Sequence, residues 1–150
     1  MDTTDRRILD VIQKDASLTH AEIADRVNLS PSQCSRRLQR LAEQGVIKST
    51  VALLDDSKLG LEIEAYVTVT LSSYGPGVAD EFHERMRMHS SILECCALTG
   101  DSDYLLRVVT GSLNELSKLI QDHLLGKDDV ASVRSSIVLE RIKRTTALPL

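Results

Sequence analysis

The chain has 150 residues, of which 42% are hydrophobic and 27% are charged, and its formal net charge is -4. This is ordinary globular composition, sufficient for one medium or two small domains, and it excludes a disordered chain. No apolar run is long enough to cross a bilayer, and the N-terminus is too acidic and too polar for a signal peptide, so we expect a cytoplasmic protein that does not contact membranes.

Two helices are predicted in the first 29 residues. Residues 2–5 offer N-cap candidates and acidic side chains, and apolar residues then recur at helical spacing up to Lys14. Thr19 can cap a second, shorter helix, in which Ala24 is small enough to let the next helix approach closely.

The third predicted helix has the clearest start signal in the chain. Ser30 is a good N-cap, Pro31 suits the first helical position, and Gln33 completes a Ser-x-x-Gln capping box. The helix should continue to about Gln44, where Gly45 offers a left-handed C-cap. Its inward face is predicted to carry Cys34, Leu38 and Leu41. Residues 46–54 are then predicted to be extended, as either a wing or a crossing to the next unit.

Basic residues are concentrated on this third helix. No acidic residue occurs between Asp25 and Glu43, whereas four arginines do, so the local charge is strongly positive in an acidic chain. A solvated face is the ordinary explanation for a charged helix, but the capping box, the short preceding helix and the acid-free interval together favour duplex DNA as the partner. With no Trp, one Phe and three Tyr, stacking of single-stranded bases is disfavoured.

The residues predicted to contact DNA are Ser30, Ser32, Gln33, Ser35, Arg36, Arg37 and Arg40. Gln33 and Arg36 lie near the start of the helix, which makes them the candidates for base edges. Arg37 and Arg40 are predicted to point outward farther along the helix, and phosphate contacts are an equal alternative for them.

The second half of the chain is predicted to be a four-stranded sheet with two helices. After a linker at residues 51–60, residues 62–71 alternate between apolar and polar, which is typical of a strand with one buried face. A helix is predicted from Val78 to about His89, followed by strands at 92–98 and 103–110 around a hairpin-type turn at 99–102. A second helix and a last strand at 130–142 follow. The apolar side of this second helix carries Leu113, Leu116, Leu119, Ile120 and Leu124. The order βαββαβ predicts a ferredoxin-like arrangement, in which both helices cover one face of an antiparallel sheet.

The other face of this sheet has no cover in a single chain. On its first strand it carries Tyr66, Thr68 and Thr70, which are too weakly charged for a purely solvated surface. We therefore expect two copies of the chain to dimerise, and a twofold-related pair of helix-turn-helix units can contact half-sites roughly 34–36 Å apart on DNA.

Cysteines and histidines show no metal-ligand spacing. Cys34 is predicted to lie in a helix core, and Cys95 and Cys96 are predicted to be buried or half-buried strand residues. No nucleophile-base pair or cofactor loop stands out, so we expect no catalytic residue, no metal and no cofactor. The alternative classes are an enzyme, a metal or redox sensor, and a small-molecule-binding module without DNA activity.

Several segments of the sequence are similar to one family of regulators. They are residues 5–9 (DRRIL), 29–32 (LSPS) ahead of Arg37, 40–47 (RLAEQGVI), 59–60 (LG) and 99–106 (TGDSDYLL). Together they closely resemble the leucine-responsive regulatory protein/AsnC family, also called feast/famine regulators, over nearly all of the chain.

This resemblance implies an α+β protein with a (winged) helix-turn-helix DNA-binding domain at residues 1–50 and a ferredoxin-like effector-binding and oligomerisation domain at residues 61–150. It also implies dimers formed through the sheets, which often assemble into octamers or other multimers. A small effector, commonly an amino acid, is expected between dimers near the Gly-x-x-Asp turn. The implied effector-binding residues are Thr99, Gly100, Asp101, Ser102, Asp103 and Tyr104.

Ordinary turn chemistry is the alternative role for Asp101 and Asp103, because Asp is favoured in hairpin turns whatever their function. Two positions depart from the family pattern. Ser17 stands where an Arg is frequent between the first two helices, and Cys96 stands where an aromatic residue is frequent.

Overall fold

The computed structural model describes residues 1–73 and 75–150, which form two compact units. The helical unit comprises Met1–Leu53 together with Ile142–Leu150, and the sheet unit comprises Leu54–Arg141. Tyr74, in the predicted loop before the fourth helix, lies outside the described residues.

The C-terminal tail is the main difference from the predicted domain bounds. Residues 142–150, which the sequence places in the second domain, pack with the helical unit. There the Leu148 backbone N–H donates to Gln13 Oε1 over 2.8 Å, and Gln13 Nε2 donates to the Leu148 carbonyl over 3.0 Å. Sequence pattern does not reveal such a pair, because its members are 135 residues apart.

Three helices build the helical unit: α1 (Thr3–Ile12), α2 (His20–Val27) and α3 (Pro31–Glu43). The capping box predicted at Ser30 is present, and both other helices begin with one as well, at Asp2 with Asp5 and at Thr19 with Glu22. The shared core contains Ile8, Ile23, Ala24, Val27 and Cys34, with Leu38 packed partly buried against it.

The predicted extended segment at residues 46–54 contains no strand. The backbone N–H groups of Val46 and Ile47 both point back to the carbonyl of Leu41, 2.9 and 3.3 Å away. They therefore complete the C-terminus of α3, after Gly45 has taken a left-handed φ of +71°, and are not available to pair with a strand.

The sheet unit contains the predicted elements in the predicted order. They are β1 (Ile63–Leu71), α4 (Val78–Met88), β2 (Ile92–Ala97), β3 (Tyr104–Thr110), α5 (Leu113–Ile120) and β4 (Val130–Ile137). The strands form one antiparallel sheet in the order β2-β3-β1-β4, which confirms the ferredoxin-like fold. None of the helices in the described residues is long and apolar enough to span a membrane.

The core of the sheet unit lies between the two helices and one face of the sheet. Ala65, Val67 and Val69 of β1 are fully buried, as their alternation predicts, and Phe82 and Met86 of α4 pack in the same cluster. Burying each large apolar side chain contributes about 1.5–3 kcal/mol. This layer fixes the sheet against the helices and leaves the opposite face uncovered.

Three predicted details of this unit were wrong. Leu113 is 56% exposed, because it is the first residue of α5 and lies only three residues after β3 ends. The last strand ends at Ile137 and not at Ile142, because its partner β1 begins at Ile63. Cys95 and Cys96 are exposed, because β2 is an edge strand with β3 as its one neighbour. Cys34 is buried as predicted.

Candidate DNA-binding surface and effector site

The N-terminal turns of α3 carry the exposed polar residues predicted to contact base edges. Ser32, Gln33 and Arg36 are exposed, and Ser35 is half-buried. Gln33 Oε1 accepts from the Ser30 N–H over 3.2 Å, and Ser30 Oγ accepts from the Gln33 N–H over 3.3 Å. The cap therefore uses the amide oxygen of Gln33 and leaves its NH2 group as the donor for an adenine or guanine acceptor.

Arg36 is the arginine of α3 without an acidic partner among the described residues. Its Nε donates to the Ser32 carbonyl one turn earlier, over 3.4 Å, so both terminal nitrogens remain for a bidentate contact. Together with Leu29, Gln33, Arg37 and Arg40, it lines a depression of about 330 Å³.

Arg37 and Arg40 are paired with carboxylates of α1, which corrects the prediction that both simply point outward. Arg37 Nη1 lies 2.7 Å from Asp2 Oδ2 and 2.8 Å from Asp5 Oδ1. Arg40 Nη2 donates to both carboxylate oxygens of Asp5, each over 2.8 Å. Asp5 is buried at 1% exposure, whereas Arg40 is about half exposed.

The two acids have lowered pKa values for different reasons. The pKa of Asp2 is lowered from 3.8 to about 2, and the hydrogen bond from Arg37 is the largest cause of this shift. Burial acts to raise the pKa of Asp5, but the Asp2 N–H, the Arg37 hydrogen bond and the charge of Arg40 outweigh it. Both carboxylates are therefore ionised at neutral pH.

We expect acid to destabilise the helical unit. Because the folded pKa of Asp2 lies below its ordinary value of 3.8, its stabilising contribution is complete above that value and is lost as pH falls toward about 2. NMR signals of α1 and α3 should weaken over this window in the wild-type chain and less so in Asp2→Asn, which has no titrating group at position 2. Equal acid sensitivity in both proteins would contradict the assignment.

The turn between β2 and β3 holds the predicted effector residues. Gly100 has a φ of +121°, a conformation that favours glycine, and a Cβ there would meet no atom within 4 Å. Thr99 and Asp101 are exposed, and Ser102 is half-buried. The turn therefore offers open space and backbone groups at its tip.

Asp103 fastens this turn to β1. Its Oδ2 accepts from the Leu71 N–H over 2.7 Å, and its own N–H donates to the Val69 carbonyl over 3.0 Å. This is the turn-fixing role that was the alternative for Asp103.

Asp103→Ala should lower the free energy of unfolding by about 1–3 kcal/mol, because it leaves the N–H of buried Leu71 without its acceptor. Asp103→Asn keeps an oxygen acceptor and serves as the matched control in urea unfolding. An alanine variant as stable as the wild-type chain would show that this hydrogen bond contributes nothing.

Tyr104 closes the turn on the helix-covered side of the sheet. Its side chain is buried, its hydroxyl lies 2.9 Å from His83 Nε2, and its ring centroid lies 4.6 Å from that of Phe82. Tyr104 and Ala97, which flank the turn, contribute to a groove of about 430 Å³. The other lining residues are His83, Met86, Arg87, Ile92, Leu93, Glu94 and Cys95.

The sequence pattern pointed to Tyr104 but not to the other groove residues, nor to the two acids at the start of α1 as partners of α3. His83 and Arg87 lie four residues apart on one helix, which places them on one face, and Asp2 and Asp5 form an Asp-x-x-Asp cap. These local signals were available, but their partners lie on other elements. The described residues include no group of three or more His, Cys, Asp or Glu able to hold a metal.

The two residues that depart from the family pattern, Ser17 and Cys96, make local contacts within their own loop and sheet. Ser17 Oγ donates to Asp15 Oδ1 over 2.6 Å within the loop between α1 and α2. Cys96 pairs in register with Leu105 and is exposed on the edge strand.

Comparison with known proteins decides the family. A winged helix-turn-helix DNA-binding model matches residues 1–48, and the Lrp/AsnC ligand binding domain model matches residues 64–148. The chain belongs to the Lrp/AsnC family. It is therefore a DNA-binding transcriptional regulator with a ligand-binding domain, and proteins of this family are regulators, not enzymes.

Relatives of this Lrp/AsnC regulator span its whole length. The transcriptional regulator AzlB of Bacillus subtilis is 33% identical over 150 residues, covering 100% of this chain and 96% of its own. The leucine-responsive regulatory protein of Escherichia coli is 34% identical over 148 residues, covering 99% and 90%.

Two solved structures are similar in fold and sequence. A transcriptional regulator from Neisseria meningitidis, in complex with L-Met, has a TM-score of 0.96 at 38% identity and covers 99% of this chain and 96% of its own. An AsnC family transcriptional regulator from Agrobacterium tumefaciens has a TM-score of 0.93 at 35% identity, covering 99% and 97%.

Proposed function

We propose that this regulator binds specific duplex sites through α3 and that an amino acid, bound beside the β2–β3 turn, controls its assembly or its DNA binding. The observation that carries the effector proposal is the groove next to that turn, which combines apolar walls with the basic side chain of Arg87. Acting on the chromosome, such a regulator would work in the cytoplasm.

The groove has the chemistry that a free amino acid requires. Its volume of about 430 Å³ lies within the range of small-molecule sites. Arg87, whose Nη1 lies 3.2 Å from Glu84 Oε2 on the same helix, is suited to the α-carboxylate, while Met86 and Ile92 offer apolar contact to a side chain. The L-Met complex of the Neisseria meningitidis relative supports an apolar amino acid as the class of effector.

We further propose that the uncovered face of the sheet binds a second copy of the chain. Three of its charged side chains are already paired within the chain: Arg107 Nε lies 2.7 Å from Glu64 Oε1, and Arg141 also contacts Glu64. Arg107 and Glu64 are largely buried, so this ion pair presents no uncompensated charge to a partner. Dimers of this kind would present two α3 helices to DNA, and octamers or other multimers would build on them.

Calorimetry of the full chain against each of the twenty amino acids tests the effector proposal. At least one should bind, and the multimer size or DNA affinity should change with it. Gly100→Ala should abolish this response, because the substitution forces a residue with a Cβ into a φ of +121°.

Arg87→Gln should weaken effector binding by about tenfold or more through the lost charge-assisted contact. Lys118→Gln, an exposed residue of α5, is the matched control for the change of charge. The proposal fails if no amino acid binds, or if the Gly100 and Arg87 variants bind as the control does.

A further inference from the structure

A buried carboxylate lies beneath the DNA-contacting helix. Asp5 belongs to α1, is 1% exposed, and binds both Arg37 Nη1 and Arg40 Nη2 over 2.8 Å. A residue so deeply buried cannot itself touch DNA. Any influence that it has on DNA recognition must pass through these two arginines.

The same pair of acids caps α1 and holds α3. Asp2 Oδ1 accepts from the Asp5 N–H over 2.8 Å, and Asp5 Oδ2 accepts from the Asp2 N–H over 2.9 Å. Asp2 also pairs with Arg37. The N-terminus of α1 therefore sets where the guanidinium groups of α3 lie, and each guanidinium uses one terminal nitrogen in these contacts.

The remaining N–H donors of each guanidinium stay available for a DNA phosphate, since an arginine side chain has five. Arg40, which is about half exposed, is the better placed of the two. The carboxylates reduce the net positive charge at this point, and charge neutralisation of phosphates governs binding to DNA of any sequence. Phosphate contacts in turn fix the register in which base edges are contacted.

We infer that Asp5 is a positioning residue for DNA recognition: it holds Arg37 and Arg40 as a phosphate clamp in one register and limits their attraction to non-specific DNA. Without it, two mobile arginines contact phosphates in several registers, and discrimination between sequences falls. The inference rests on α3 as the DNA-contacting helix.

The test compares Asp5→Asn and Asp2→Asn with Asp10→Asn, measuring binding to a duplex selected by the wild-type chain from a random pool and to a shuffled duplex. Asp10 is the matched control, because it lies on the same helix but pairs with Lys14. Asp2→Asn keeps a good N-cap residue, so it removes the ion pair to Arg37 while preserving the helix start.

Asp5→Asn should bind the shuffled duplex more tightly. The slope of log K against the logarithm of the salt concentration should be steeper by about 1 or more, which corresponds to roughly one additional phosphate contact. Its ratio of selected to shuffled affinity should fall by about tenfold, which is comparable to the effect of one mismatched base pair. Asp2→Asn should change both quantities in the same direction by less, because only Arg37 loses a partner.

The inference is overturned if both variants match Asp10→Asn in salt dependence and affinity ratio, or if both affinities fall by one common factor, as for a merely structural role. Should Asp5→Asn fail to fold by circular dichroism, Asp2→Asn decides alone. Arg36→Ala separates the two hypotheses. If Arg36→Ala no longer binds the selected duplex while Asp5→Asn behaves like Asp10→Asn, α3 is still the DNA-contacting helix and only the role inferred for Asp5 is wrong.

Discussion

Replacing Arg36 by alanine is expected to weaken binding to a selected duplex by about 1–3 kcal/mol, which is roughly 5- to 150-fold, for a bidentate contact to guanine. Arg36 is exposed and has no acidic partner among the described residues, so its removal leaves the packing of α3 unchanged. The thermal midpoint should therefore stay at the wild-type value while DNA binding falls. Gel shift at two salt concentrations, with melting by circular dichroism, measures both.

Arg7→Ala provides the matched control for Arg36. Arg7 is an exposed arginine on α1, so its loss changes the net charge by the same amount at a different place. Arg36→Ala should lose discrimination between selected and shuffled duplexes, whereas Arg7→Ala should keep it. If the two variants bind the selected duplex equally well, Arg36 is not a base contact.

Replacing Thr68 by lysine is expected to raise the dimer dissociation constant by roughly 100-fold or more, because it places an unpaired charge in the proposed interface. Thr68 lies on the uncovered face of the sheet, opposite Leu105 on one side and Arg134 on the other. Lysine is a sharper test than aspartate, because the guanidinium of Arg134 would neutralise an aspartate at position 68. Analytical ultracentrifugation of the full chain at micromolar concentration measures the change.

Thr68→Val is the control for this substitution, since it keeps the shape of the side chain and adds no charge. The valine variant should remain as associated as the wild-type chain. When the dimer of the lysine variant dissociates into single chains, its affinity for DNA should fall, because two linked helical units bind two half-sites more tightly than one unit binds one. A lysine variant that sediments like the wild-type chain would show that this face is not the interface.

Local sequence signals determined most of the fold. The capping box at Ser30, the left-handed Gly45 and the alternation from Ile63 to Leu71 each depend on residues a few positions apart. Helix starts and strand faces follow from such local geometry, so they can be predicted without knowing what packs against them. The order of elements then favoured the ferredoxin-like topology among a few possible ones, and the described strands have it.

The tertiary structure alone decided how the functional side chains are used. Asp5 meets Arg37 and Arg40 from 32 and 35 residues away, and Asp103 meets Leu71 across two strands. The exposure of Cys95 and Cys96 followed from the place of β2 at the sheet edge, which no property of that strand encodes. Hydrophobic periodicity predicts which face of an element is buried. The ionic partner of a charged side chain depends instead on which distant segments lie close to it, and that proximity exists only in the folded chain.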